Sequence, residues 1–213
     1  SFVSSTGEYI LKIVAFGAHP DDLEPQIGGS VAKFVRNGGS ATCVTCTTTT
    51  IGAKSSMTRQ QEGERAAKIL GSEFICMGIE EEDLSYNRYL INEIEQIIQS
   101  VDPDIVYTVS GKDSHQDHQS VYKSVKTAAR RNTFSLIALA QVLPGGISDH
   151  QVNYFNDISD VIDLKKEAMF QYESQIEKYG EEWLDAIIAR DKTWGFNIGT
   201  QFAEANFIEK WVS

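Results

Sequence analysis

Two short stretches of the chain concentrate side chains able to grip a cation and move a proton. The first, AHPDDLEP at residues 18–25, offers His19, Asp21, Asp22 and Glu24. The second, GKDSHQDHQSVY at 111–122, offers Asp113, His115, Asp117 and His118. Three of the four histidines of the protein lie in these two stretches, far apart in the chain. Imidazole and carboxylate together suit a borderline cation such as zinc, whereas calcium and magnesium favour an all-oxygen shell. A catalytic zinc keeps three protein ligands and leaves a position open. Carboxylates crowded this closely repel one another unless positive charge sits among them. Each stretch alone has a plainer reading, since Pro20 stiffens a good turn and a lone histidine is commonly structural. Their joint placement decides for a metal.

That placement comes from the elements before them. KIVAFGA (12–18) is an apolar run of the kind buried on both faces of a parallel sheet. Ile27, Val31, Phe34 and Val35 then fall at helical spacing over 26–36, and Asn37-Gly38-Gly39 stops that helix. ATCVTCTT (41–48) reads as a second strand. Thr58 with Gln61 forms a capping box for a helix ending at Leu70-Gly71. EFICMG (73–78) is a third strand, and Leu90, Ile91, Ile94, Ile97, Ile98 and Val101 trace one face of a third helix. DIVYTVS (104–110) is a fourth strand.

This βαβαβαβ order predicts a doubly wound sheet, with ligands outside the carboxyl ends of its strands. Both acidic–histidine stretches follow strands at that same edge. Beyond them the pattern predicts a helix over 117–131, a strand or two within 135–160, a long helix over about 161–178 and another over 181–190.

The composition is that of a soluble globular protein of 213 residues, 41 % hydrophobic and 23 % charged. No run is long and apolar enough to span a membrane, and no secretory signal is recognised. The net charge of −11 argues against nucleic acid, which calls for a basic face. Three cysteines without such a signal suggest a reducing, cytoplasmic setting. Cys43 and Cys46 sit on opposite faces of a strand, so the C-x-x-C reads as core and not as a redox or metal motif. One domain over 1–213 is expected, with 1–10 as an N-terminal arm or tag remnant.

AHPDDLE after a first strand, with HQDH opening a later helix, resembles the LmbE-like or PIG-L family of zinc-dependent de-N-acetylases. RQQEGERAAKILG resembles the R-x-x-E helix of that family, QYESQ (171–175) its Y-x-S-Q segment, and GTQFAEAN its closing G-x-x-x-A-E. The resemblance implies a three-layer α/β Rossmann-like fold with a mostly parallel central sheet. It implies His19, Asp22 and His118 as ligands of Zn2+, with Fe2+, Co2+ or Ni2+ as alternative occupants. It implies Asp21 as general base, and His115 as the oxyanion stabiliser with Asp117 as its hydrogen-bond partner. Arg59 maps onto an arginine of the family that touches substrate, with a solvated helix charge as the plainer reading, and Glu24 is open between binding substrate, orienting His19 and a surface role. The activity implied is hydrolysis of the acetamide of an N-acetylated amino sugar or its conjugate. The partner is a small-molecule substrate, and a homo-oligomer is compatible.

Plainer readings stand beside these. Asp113 serves as a helix cap, Lys112 as a solvated charge, Trp183 and Trp194 as core or interface, and His150 as a residue remote from both motifs, although its segment QVLPGGISDH is the one expected to shape substrate choice. Pro25-Gln26 replaces the small residues usual after the acidic cluster. The competing functions are a non-catalytic sugar-binding protein on the same scaffold and a metal-dependent phosphoesterase.

Overall fold

The sheet of this protein is built around β1 (Lys12–Gly17), six consecutive buried residues. In the computed structural model, which describes residues 10–48, 59–140 and 152–212, β1 is flanked by β2 (Ser40–Thr47) and β4 (Ile105–Thr108). Both neighbours run parallel to it, with Val14 opposite Thr42 on one side and Val106 on the other. β3 (Glu73–Ile79) and β5 (Ser135–Leu139) extend the parallel part outward. β6 (Tyr154–Asp157) and β7 (Ala203–Lys210) close one edge antiparallel, giving the order β3-β2-β1-β4-β5-β7-β6. The sheet is mostly parallel, as the alternating pattern predicts.

Right-handed crossovers fix the layers. The chain moves outward from β1 to β3 through α1 (Glu24–Arg36) and α2 (Arg59–Leu70), then returns through α3 (Arg88–Val101) to β4 and on through α4 (Gln116–Ala128) to β5. α1 and α2 consequently share one face and pack with α5 (Ile162–Met169), while α3 and α4 pack on the other. Leu90, Ile94 and Ile98 of α3 are buried at successive turns, with Ile97 and Val101 packed beside them. The Asn87 side chain caps that helix by accepting the Leu90 N–H at 2.9 Å.

The chain's second half departs from its expected pattern. The helix expected over 161–178 is two helices, α5 and α6 (Glu173–Tyr179), separated at Tyr172, which is fully buried. The break turns the start of α6 toward α2, where Ser174 is held by Glu62. α7 (Glu182–Ile198) runs a further eight residues past the expected end at 190 and stops at Gly199 in the left-handed conformation. β7 occupies the closing segment because Glu204, buried within a strand, is neutralised by Lys165 at 2.7 Å. Cys43 and Cys46 are free thiols in the core, and burial pushes both up, Cys43 to about 12. Trp183 is buried, and Trp194 lies under the Arg190 guanidinium. No helix among the described residues is long and apolar enough to cross a membrane. The Thr58 cap, most of the N-terminal arm, and the 141–150 loop with His150 lie outside the described residues.

Candidate metal centre

Strand order reverses at β1, whose neighbours β2 and β4 lead in opposite directions, and the crevice at the carboxyl ends of β1 and β4 is the switch point of the sheet. The loop after β1 carries AHPDD, and the loop after β4 carries KDSHQDH. Pairing of β1 with β4 is what brings them together.

The first loop is pinned from inside. Asp22 Oδ2 accepts the backbone N–H groups of Ala18 (2.7 Å) and His19 (2.8 Å). Ala18 carbonyl accepts the Thr47 N–H at 2.9 Å and its hydroxyl at 3.0 Å, tying the loop to the end of β2. A side chain at Gly17 would place its Cβ 3.1 Å from Asp22 Cβ, a close approach that glycine relieves. With Oδ2 committed to the backbone, Asp22 Oδ1 faces out, 3.3 Å from His118 Nε2.

The second loop prepares His118 from the opposite side. His118 Nδ1 lies 2.9 Å from Asp113 Oδ2, while Asp113 Oδ1 accepts the His115 N–H at 2.9 Å. Asp113 thus holds a proton on Nδ1 of His118, and Nε2 is the nitrogen turned toward Asp22, the one a cation would take on displacing its proton. A carboxylate on the far nitrogen is the usual support of a metal-ligating histidine. The cap role expected of Asp113 falls to His115, the N-cap of α4, while Asp113 turns the loop before it; the orienting role of Asp113 is one that sequence spacing did not reveal.

His19, Asp22 and His118 are buried, and one donor atom from each lies within 4.8 Å of the others. Tetrahedral ligands at zinc bond lengths sit about 3.3–3.6 Å apart, so small side-chain movements suffice. Burial disfavours charge on all three, yet the charges outweigh it. His118 is carried up to about 10 mainly by Asp22, His19 is raised by Asp22, and Asp22 is held well below the ordinary carboxylate range by His118. The cluster draws positive charge to its centre. Two imidazoles and one carboxylate, with a carboxylate behind His118, fit a zinc-type cation.

An overlapping group, His19 with His115 and Asp117, also has donor atoms within 4.8 Å. It fits less well. His115 caps α4 with Nδ1, which accepts the Asp117 N–H at 3.2 Å, and its side chain is 47 % exposed. That bond commits Nδ1 as an acceptor and leaves Nε2 as the N–H donor of a neutral ring. Burial and the neighbouring histidines lower the His115 pKa, which favours that neutral form. Asp117 does not pair with His115 as the resemblance implies. Its Oδ2 lies 3.0 Å from His19 Nε2 and 3.9 Å from His115 Nδ1, because the second residue of α4 turns its side chain inward.

Asp21 lines the cleft beside Asp22 but is held by different partners. Its backbone has φ = 98°, a region that residues with a Cβ rarely adopt. Burial raises its carboxyl to about 6, against the pull of the Arg59 guanidinium that contacts Oδ1. Arg59 also donates to the Pro20 carbonyl at 2.6 Å. Glu24 is buried below the loop, where burial pushes it up to about 7 with the Tyr172 hydroxyl beside it. As the first residue of α1 it points into the protein and does not line the cleft, contrary to the expected substrate contact. Gln26 replaces small residues in the same turn, and its amide donates to the Ala205 carbonyl at 2.7 Å.

The cleft has a volume of about 180 Å3. Its walls include Asp21, His115 and Arg59 with Glu81, Gln175, Lys178 and Tyr179. The last four were assigned no role from the sequence. Only the Y-x-S-Q segment pointed near them. Lys112 is exposed and lies outside this wall.

Residues 14–129 match the profile of the family described as PIG-L, GlcNAc-PI de-N-acetylase. An uncharacterized deacetylase of Escherichia coli, YaiS, is 35% identical over 126 residues, covering 55% of this chain and 68% of its own. The diacetylchitobiose deacetylase of Thermococcus kodakarensis is 27% identical over 218 residues, covering 92% of this chain and 82% of its own. Among solved structures, the conserved protein TT1542 of Thermus thermophilus superposes with a TM-score of 0.83 at 23% identity, covering 96% of this chain and 97% of that one. At that identity the last likeness speaks for the fold alone.

Proposed function

The chain belongs to the PIG-L family, and from that premise we propose that it is a zinc-dependent amide hydrolase that removes the acetyl group of an N-acetylated amino sugar or its conjugate. The observation carrying this reading is the prepared pair of ligands: Asp22 Oδ1 and His118 Nε2 face one another at 3.3 Å, each with its other polar atom already committed.

His19, Asp22 and His118 would hold the cation, which when bound supplies Lewis acidity to the acyl oxygen and to water. Asp21, at the wall of the cleft beside Asp22, accepts the proton of water as its oxygen bonds to the acetamide carbon. His115 Nε2–H donates to the carbonyl oxygen as negative charge develops there, and a neutral ring suffices for that task. Asp21 then returns its proton to the nitrogen as the C–N bond breaks, leaving acetate and a free amine. Arg59 holds Asp21 at the wall of the cleft, so it aims the base there. Hydroxyls of the substrate meet Glu81 and Lys178 at the rim, and Tyr179 offers a ring face there.

The test loads the protein with zinc and follows acetate release from N-acetylglucosamine, its oligomers and its conjugates. Release that a chelator abolishes and zinc restores supports the reading. Binding without release would make the protein a sugar-binding module, and phosphate release from phosphorylated sugars would make it a phosphoesterase.

A further inference from the structure

We propose that Gln175 is a positioning residue that sets the direction of the Asp21 carboxylate, an inference that rests on Asp21 as the proton acceptor of the proposed reaction. Asp21 has a neighbour, Asp22, committed to the cation site, and a strained backbone of φ = 98°. Strain of this kind persists only where the surroundings over-determine it. Arg59 takes one carboxylate oxygen, Oδ1. The other oxygen, Oδ2, meets the Gln175 amide, whose Nε2 donates at 3.1 Å while its Oε1 accepts from Arg59 Nε at 3.3 Å. This is the amide orientation in which donors face acceptors on both sides. One glutamine therefore bridges the base and its arginine.

The glutamine is placed by a second buried contact. Glu62, one turn after Arg59 on α2, accepts the Ser174 N–H at 2.9 Å and its hydroxyl at 2.6 Å, and neither residue is open to solvent. α2 thus carries both the arginine that contacts Asp21 and the carboxylate that anchors the residue before Gln175. The break at Tyr172 turns α6 so that this contact can form. Remove the Gln175 donor, and the Asp21 carboxylate is free to swing so that both oxygens face Arg59, away from the reacting carbon. Rates fall steeply when a catalytic group is misaimed by even an ångström.

The test compares Gln175→Met with the wild type, in the presence and absence of Asp21→Asn. Methionine keeps the volume and removes the amide. Loss of a hydrogen bond to a charged group should lower kcat about tenfold or more, with KM and bound zinc unchanged within about twofold. In the Asp21→Asn background the same change should cost less than about twofold, because the group it aims is gone. Gln175→Glu, which accepts from Arg59 but repels Asp21, should lose at least as much as Gln175→Met. A crystal structure of Gln175→Met should show the Asp21 carboxylate rotated onto Arg59. The inference is overturned by full kcat in Gln175→Met, by equal losses in both backgrounds, or by an Asp21 side chain that has not moved. If the wild-type protein releases no acetate from any acetylated sugar, the proposed function fails alone, and the Asp21 position in the crystal still decides the role of Gln175.

Discussion

At the scale of single residues, the division of labour among the histidines depends on which ring nitrogen is already occupied. His118 has Nδ1 on Asp113 and Nε2 turned to the Asp22 carboxylate, whereas His115 has Nδ1 on a backbone N–H. The first pattern suits the proposed ligand and the second the proposed hydrogen-bond donor. His115→Ala should therefore lower kcat about 10²–10³-fold with zinc content unchanged, measured by metal analysis beside steady-state rates. Zinc lost in proportion would instead make His115 a ligand. Asp113→Ala removes the support behind His118 together with the acceptor of the His115 N–H, and should weaken zinc affinity about 10–100-fold, read by competition with a chromophoric chelator. An unchanged affinity would leave Asp113 a turn residue alone. The candidate ligands were legible in the sequence because HPDD and HQDH are local patterns after strands. Asp113 was not, since a carboxylate five residues before a histidine looks the same whether it caps a helix or orients a ring.

The elements show why the chain's second half was harder to read. No Gly or Pro marks the break at 170–172; what ends α5 is burial of Tyr172 and the reach of Ser174 to Glu62, contacts made across more than a hundred residues. β7 was hidden similarly, because a buried glutamate argues against a strand until its partner is known. Glu204 accepts from Lys165 (2.7 Å), the Gly29 N–H (2.8 Å) and the Ser30 hydroxyl (2.5 Å), and Lys165 also donates to Asp191 at 2.5 Å. This network joins α1, α5, α7 and β7 behind the ligand loop. Lys165→Met strands two buried carboxylates and should cost about 3–5 kcal/mol, seen as a lower urea midpoint at unchanged slope. Adding Glu204→Gln should recover part of that loss. A Lys165→Met protein as stable as the wild type would mean that water reaches these groups.

For the molecule as a whole, the site and the fold are one equilibrium. His19 and Asp22 follow β1, His118 lies in α4 after β4, and only the parallel pairing of Ile13–Phe16 with Ile105–Thr108 brings them together. The unfolded chain holds no such triplet, so cation binding draws on the free energy of folding the entire sheet. At free zinc one hundred times its dissociation constant, the native state should gain about 2.7 kcal/mol. For a chain of this length that corresponds to a melting temperature higher by about 5–10 °C than in chelator. The chemistry residues make no claim on this term. Asp21→Asn and Gln175→Met should keep the zinc-dependent rise, and His118→Ala should lose it while remaining folded. Scanning calorimetry of these proteins with chelator and with zinc separates the two groups. A rise that survives in His118→Ala would place the cation elsewhere on a surface carrying a net charge of −11. No rise in the wild type would mean that the paired loops, despite their geometry, hold no zinc.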